Sequence, residues 1–450
     1  ETFMTVFRFA RAASALMIGA SALAFAASSA HATDGYLQEG VSPADQATGG
    51  AGVAEGRDAL TLGNNPAGLM DVGRQFNLDL TLFAPSRGYD ASGTFLVAPG
   101  SHDSSYDLFG IPAMAYSQPI DGDSSWGVAL YGAGGMNTDY KISSDTGAFC
   151  PPGGSGAFCG GKAGVNLEQA FLTVGYAHRF GSVSIGVAPI LAIQQFSAQG
   201  LGFFAANGFS ASPGNMTNNG ASYSVGGGLR AGAEWHATDT LRLGLSATTP
   251  IWASNFTKYS GLFAGGGNFD IPATIAVGLA YDVAPTFTLL ADYKHIFYGE
   301  IPSVGRSSLG WLSGALFGAS NGPGFGWRDV DVISIGAEWR ATKDLTLRAG
   351  YSHNTDPITS ADVMLNILAP GVITDHFSAG ATYALNKNNS IDFATVYAPE
   401  QSVSGMEYLP GLGANTASNI KIHLSEFEAT LGWTYKFDTV ASAAPISARY

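Results

Sequence analysis

The segment from Glu426 to Phe437, EFEATLGWTYKF, alternates strictly. Phe427, Ala429, Leu431, Trp433, Tyr435 and Phe437 share one face of an extended chain, and Glu428, Thr430, Gly432, Thr434 and Lys436 share the other. The same period of two runs through QFNLDLTLFA, EQAFLTVGYAHRF, VSIGVAPILAIQQF, SYSVGGGLRAGAEWHA, LRLGLSATTPI, DIPATIAVGLAYDV, FTLLADYKHIFYGE, DVDVISIGAEWRAT, LTLRAGYSHN, DHFSAGATYAL and SIDFATVYAPE. With the less regular GIPAMAYSQPI and WGVALYGAGGMNTDY, this predicts about fourteen strands, each long enough to cross a membrane. The connections alternate in length. Short turns such as Gly181-Ser182, Thr238 to Thr240 and Asn386 to Asn389 separate connections of roughly 15 to 30 residues, the pattern of short periplasmic turns and long extracellular loops. The expected fold is all-β, a transmembrane antiparallel barrel spanning residues 75–437.

Composition agrees with a chain only partly solvated by water. Of 450 residues, 12% are charged, 46% are hydrophobic and 60 are Gly, with mean hydropathy +0.13, whereas soluble domains carry about a quarter charged residues. After residue 32 no apolar run reaches the roughly 20 residues of a spanning helix. The net charge of −14 argues against nucleic acid as a partner. At the N-terminus, Arg8 and Arg11 precede a weakly apolar core and Ala30-His31-Ala32, which reads as a secretory signal over residues 1–32. Export to the outer membrane suits Cys150 and Cys159, which enclose the Gly/Pro loop PPGGSGAF and are expected to form a disulfide stapling it.

If the apolar face meets lipid, then Asp79, Arg179, Arg230, Glu234, Arg242, Asp282, Asp292, Lys294, Glu338, Arg348, Asp392 and Glu428 point into the lumen, mostly to pair with one another. No GxSxG, HExxH or phosphate-cradling loop is present, and His178, His236, His295, His353, His376 and His423 are scattered without ligand spacing. The reading is of a non-enzyme with no cofactor and no metal. Residues 33–74 precede the first strand and lack its alternation, so they are expected to enter the lumen as a plug. Within them Asn65 can cap a short helix that begins at Pro66 and Ala67, forming a rigid corner.

The stretch GGAGVAEGRDALTLGNNPAGL, with its Asn-Pro-Ala turn, resembles the FadL family of outer-membrane long-chain fatty-acid and hydrocarbon transporters. Ala291 to Gly305 (ADYKHIFYGEIPSVG) and Met364 to Tyr383 (MLNILAPGVITDHFSAGATY) are similar to that family's segments in the same order. One departure is residues 438–450, which continue past the aromatic Phe437 as an extension. The resemblance implies passive uptake of a hydrophobic solute, foremost a long-chain fatty acid, by a monomeric barrel in outer-membrane lipid. The solute is caught in a groove between loops, passes to a lumen pocket and leaves through a gap in the wall beside a kinked strand, with the N-terminal hatch controlling passage.

Candidate parts follow. Two consecutive long loops carry Phe203, Phe204 and Phe209, and Trp252, Phe256 and Phe263, an aromatic density that marks either a binding surface or loops packing on each other. Arg230 and Lys294 are the candidates for a carboxylate. Gly132, Gly134 and Gly135 in the third strand predict a bend, either as an exit or as room for the plug. The alternatives are a general diffusion porin, a transporter of aromatic or alkane hydrocarbons, and a lipase-type barrel, for which no Ser/His/acid set can be assembled.

Overall fold

The computed structural model describes residues 34–142 and 146–437. The signal segment 1–32 and the extension 438–450 lie outside them. Fourteen long strands are present: β1 Gln75–Ser92, β2 Phe109–Pro119, β3 Ser124–Asn137, β4 Gly164–Phe180, β5 Val183–Gln199, β6 Ser222–His236 and β7 Leu241–Thr248. The second half comprises β8 Thr274–Ala284, β9 Phe287–Ile296, β10 Val330–Arg340, β11 Leu345–Asn354, β12 Asp375–Ala384, β13 Asn389–Leu409 and β14 Gly413–Lys436. Each pairs antiparallel with its neighbours in sequence, and β1 pairs with β14 from Gln75↔Lys436 to Ser92↔Asn419, which closes the ring. Two short strands, Gly100–Asp103 and Trp252–Ala253, add to β1 and β6. Among the described residues no helix is long and apolar enough to cross a membrane.

Alternation sets the register. Leu78, Leu80 and Leu82 of β1 are exposed to lipid while Asn77, Asp79 and Thr81 are buried inside, and β14 mirrors this with Leu431 out and Glu428, Thr430 and Thr434 in. A one-residue slip would put charges in lipid.

The wall is taller on one side than the sequence pattern predicts. Residues 401–425, read as a long loop, instead extend the β13–β14 hairpin, and β14 has 24 residues. At about 3.4 Å per residue that is roughly 80 Å of chain, against an apolar band about 25 Å tall. In the upper part the pattern inverts: Ile420, Ile422 and Leu424 face inward and are buried. Beyond the membrane the outer face meets water, so the apolar face must turn toward the interior.

Residues 34–72 contact inward positions around the ring. A Cβ on Gly186 or Gly232 would collide with Pro66 or Asn65, one on Gly244 with Val53, and one on Gly350 with Thr48. Polar wall groups complete the fit. Asp292 accepts from the Gly52 and Val53 amides at 2.8 and 2.9 Å. Arg57 pairs with Asp45 at 3.0 Å and lies 3.6 Å from Glu338, which also binds Arg348 at 2.8 Å. Wall positions that read as plain alternation thus carry small residues where backbone from this segment approaches.

Candidate functional site

Asn65 Oδ1 accepts from the Ala67 amide at 3.0 Å, with Pro66 opening the short helical turn Pro66–Gly68 that leads into Leu69–Val72. Asn65 Nδ2 also donates to Val53 and to Ala233 of the wall, at 2.7 and 3.1 Å. The corner therefore ties the N-terminal segment both to itself and to β6.

At the segment's other end, Tyr36 to Gln38 act as a strand fragment. β3 pairs with β2 only from Ser125 to Tyr131, and its register with β4 shifts between Gly132 and Gly134. Beyond that bulge β3 bonds to the N-terminal segment: the Gly135 amide donates to Tyr36 O at 3.0 Å and the Gln38 amide to Ala133 O at 3.4 Å. Gly134 must lack a side chain, because a Cβ there would enter the Tyr36 carbonyl. Tyr298, just past β9, holds the same fragment. Its hydroxyl accepts from the Tyr36 and Leu37 amides at 3.0 and 3.2 Å and donates to Asp34 O.

Three small cavities meet this fragment or the walls around it. The outer one, about 30 Å³, is lined by Phe196, Phe204, Phe263, Phe317 and Phe325. Rings link it inward: Phe196, Phe263 and Phe269 follow one another at 4.6 and 4.9 Å, and Phe269 lies 5.9 Å from Tyr36. A second cavity of about 20 Å³ lies beside the β3 bulge, lined by Phe83, Arg87, Gly135, Met136, Trp327 and Leu424, and Trp327 packs on Tyr36 at 5.8 Å. The third, in the lumen, is about 110 Å³ and of mixed lining, with Glu39, Arg230 and Lys294 beside Tyr131, Phe171, Ile251 and Ile271.

Of the aromatic candidates, Phe204, Phe256 and Phe263 are buried in one cluster, and Phe203 and Phe209 pack at its rim. Trp252 lies apart from that cluster. It pairs with Gly227 at the edge of β6 and its ring is exposed, while its neighbour Ile251 is buried, because side chains on an extended segment point alternately in and out. Arg230 and Lys294 do reach the lumen, but neither is free. Arg230 donates to Leu62 O at 2.8 Å, Tyr131 Oη at 3.1 Å and Thr248 Oγ1 at 2.9 Å. Lys294 is paired with buried Asp34 at 2.5 Å. Sequence reasoning missed Tyr36, Tyr298, Trp327 and Trp311; the last touches Phe204 and Phe209 at 5.5 and 5.0 Å. Cys150 and Cys159 are joined as a disulfide, with Cα atoms 5.2 Å apart.

A closed fourteen-strand antiparallel barrel with no spanning helix among the described residues defines an outer-membrane β-barrel protein. The chain belongs to the outer membrane protein transport protein family (OMPP1/FadL/TodX), whose family model matches residues 23–437. It is similar in structure to the Pseudomonas putida toluene transporter TodX, with TM-score 0.65 and 20% identity over 89% of this chain and 99% of that one. A Pseudomonas aeruginosa FadL homologue gives 0.65 and 18% over 90% and 100%. The Ralstonia pickettii toluene transporter TbuX gives 0.59 and 19% over 89% and 99%. At these identities the likeness is one of fold. A stretch of 68 residues is 34% identical to an outer-membrane protein of Neisseria meningitidis serogroup B, covering 15% of this chain and 14% of that protein's length.

Proposed function

We propose that the protein is a passive channel for uncharged hydrophobic solutes, with residues 34–74 as a hatch. A solute enters the aromatic chamber around Phe204 and Phe263, moves inward along Phe196 and Phe269, displaces the Tyr36 to Gln38 fragment, and leaves toward lipid where β3 has parted from β2. The observation that carries this is the substitution of β2 by the hatch fragment beside the bulge: backbone groups in lipid must be satisfied, and here a detachable segment satisfies them. The family's toluene transporters and the aromatic lining both support a hydrocarbon as solute.

A long-chain fatty acid is the second reading, since the lumen holds Arg230 and Lys294. It is less favoured because a carboxylate must compete with the bonds those cations already make, and charge-assisted bonds are about twice as strong as neutral ones. A diffusion porin is disfavoured by the segment filling the ring. The test is uptake into proteoliposomes of toluene, oleate and a monosaccharide side by side. Toluene is expected to enter and the sugar to be excluded; sugar-driven swelling refutes the channel reading. Loss of oleate but not toluene uptake in Arg230→Met would establish the fatty-acid reading instead.

A further inference from the structure

Glu234 and His236 sit two residues apart at the end of β6, so both face inward near the short-turn mouth. Asp71, in the hatch helix Leu69–Val72, approaches them from inside. The potential ligand atoms of all three lie within 4.8 Å of one another. Glu234 is 1% exposed, yet neither of its carboxylate oxygens has a hydrogen bond. His236 Nε2 stands 3.2 Å from Glu234 Oε1, an ion-pair contact. The same Nε2 is 3.7 Å from Asp71 Oδ2. Arg179 occupies the other Asp71 oxygen, Oδ1, and thereby turns Oδ2 toward the cluster.

We propose that Asp71, Glu234 and His236 form a site for a divalent transition-metal cation of the zinc type, which pins the end of the hatch to the barrel wall. Two ligands each 2.0–2.1 Å from a tetrahedral ion lie roughly 3.3 Å apart, a spacing that the 3.2 and 3.7 Å separations fit. Two carboxylates against one guanidinium leave the pocket attractive to a cation. The imidazole selects against calcium and magnesium, which take oxygen ligands. Three protein ligands leave a fourth position for water. The site is independent of which solute the channel carries, since it lies at the opposite end of the hatch from Tyr36.

The experiment uses the full chain in detergent, stripped with chelator and loaded with Zn²⁺ or Co²⁺. One equivalent of Zn²⁺ is expected to survive desalting, and Co²⁺ is expected to give the visible bands of a four- or five-coordinate ion. Glu234→Gln combined with His236→Asn should lower affinity by more than about tenfold and remove the bands, with unchanged heat-modifiable migration. Zn²⁺ should also slow amide exchange around Asp71 in the wild type only. Equal Zn²⁺ retention by wild type and double variant overturns the proposal. Should the double variant fail to fold, the wild-type Co²⁺ spectrum decides alone: a six-coordinate aqua-like spectrum refutes the site, and intense bands support it.

Discussion

Tyr298→Phe removes one oxygen and nothing else, and it tests whether the hatch fragment is the gate. The hydroxyl accepts from the Tyr36 and Leu37 amides and donates to Asp34 O. Tyr36 and Tyr298 are fully buried, so water cannot readily replace it. An orphaned buried donor costs about 1–3 kcal/mol, so two cost at least about 2 kcal/mol while the fragment stays docked. One decade in a population is about 1.4 kcal/mol. The released fragment should therefore become roughly 25-fold more populated at that lower bound.

Exchange of the amides at residues 34–38, followed by mass spectrometry, should accelerate by that order, and toluene uptake should rise. The barrel, held by the continuous ladder between β1 and β14, should keep its heat-modifiable migration. Tyr36→Phe is the matched control. Its hydroxyl has no hydrogen-bond partner among the described residues, so removing it should leave exchange unchanged or slower. Unaltered exchange and uptake in folded Tyr298→Phe protein would refute the gate.

Three further outcomes are expected. Gly134→Ala drives a Cβ into the Tyr36 carbonyl, so it should undock the fragment and speed exchange at 34–38, as read by the same mass spectrometry; a protected fragment in the folded variant contradicts the close approach. Glu39, buried and beside Asp34, has its carboxyl pushed up from 4.5 to about 8, with the Ser352 hydroxyl opposing. The docked hatch then holds that proton more tightly than the undocked one, so docking is fully supported below pH 4.5 and weakens as pH rises toward 8. Exchange at 34–38, corrected for its intrinsic pH dependence, should increase over that window, and Glu39→Gln should flatten the response. The Cys150–Cys159 bridge closes a sequence separation of only 9, so its reduction should shift the thermal midpoint of the barrel little, whereas alkylation of unreduced protein should find no free thiol.

The strands were legible because a lipid-facing wall and a polar lumen impose a period of two, as at Leu78 to Leu82 and Phe427 to Thr434. Legibility ended where the surroundings changed. Ile420 to Leu424 alternate too, but above the membrane the apolar side faces inward, so the polarity rule built on lipid does not reach them. Trp252 stands outside the aromatic cluster, because loop composition does not say which way a ring points. Arg230 and Lys294 were correctly given to the lumen, but their occupants, Leu62 O and Asp34, come from 168 and 260 residues away in the chain. Tyr36 and Tyr298 were invisible for the same reason, being separated by 262 residues. One signal was overlooked: glycine at inward positions 186, 232, 244 and 350 marks where another backbone must come close.

The cavities explain why one short fragment should control passage. A cavity of roughly 150 Å³ accommodates benzene, yet the chamber holds about 30 Å³, the lumen about 110 Å³ and the space beside the β3 bulge about 20 Å³. None admits even a small aromatic solute comfortably without movement. Parting a wall strand from its ladder would break many bonds at several kcal/mol each in lipid, and the hatch body is tied down by Arg57, Asp292, Asn65 and Arg230. The Tyr36 to Gln38 fragment is different. Among the ties that hold it are two backbone bonds to β3, the Tyr298 hydroxyl, the Tyr36 ring contacts and the neighbouring Asp34–Lys294 pair. Its Tyr36 ring packs on Phe269 and on Trp327, and Trp327 lines the wall cavity. On the proposed reading, moving this fragment alone leaves the wall ladder and the Arg57, Asp292 and Asn65 ties intact.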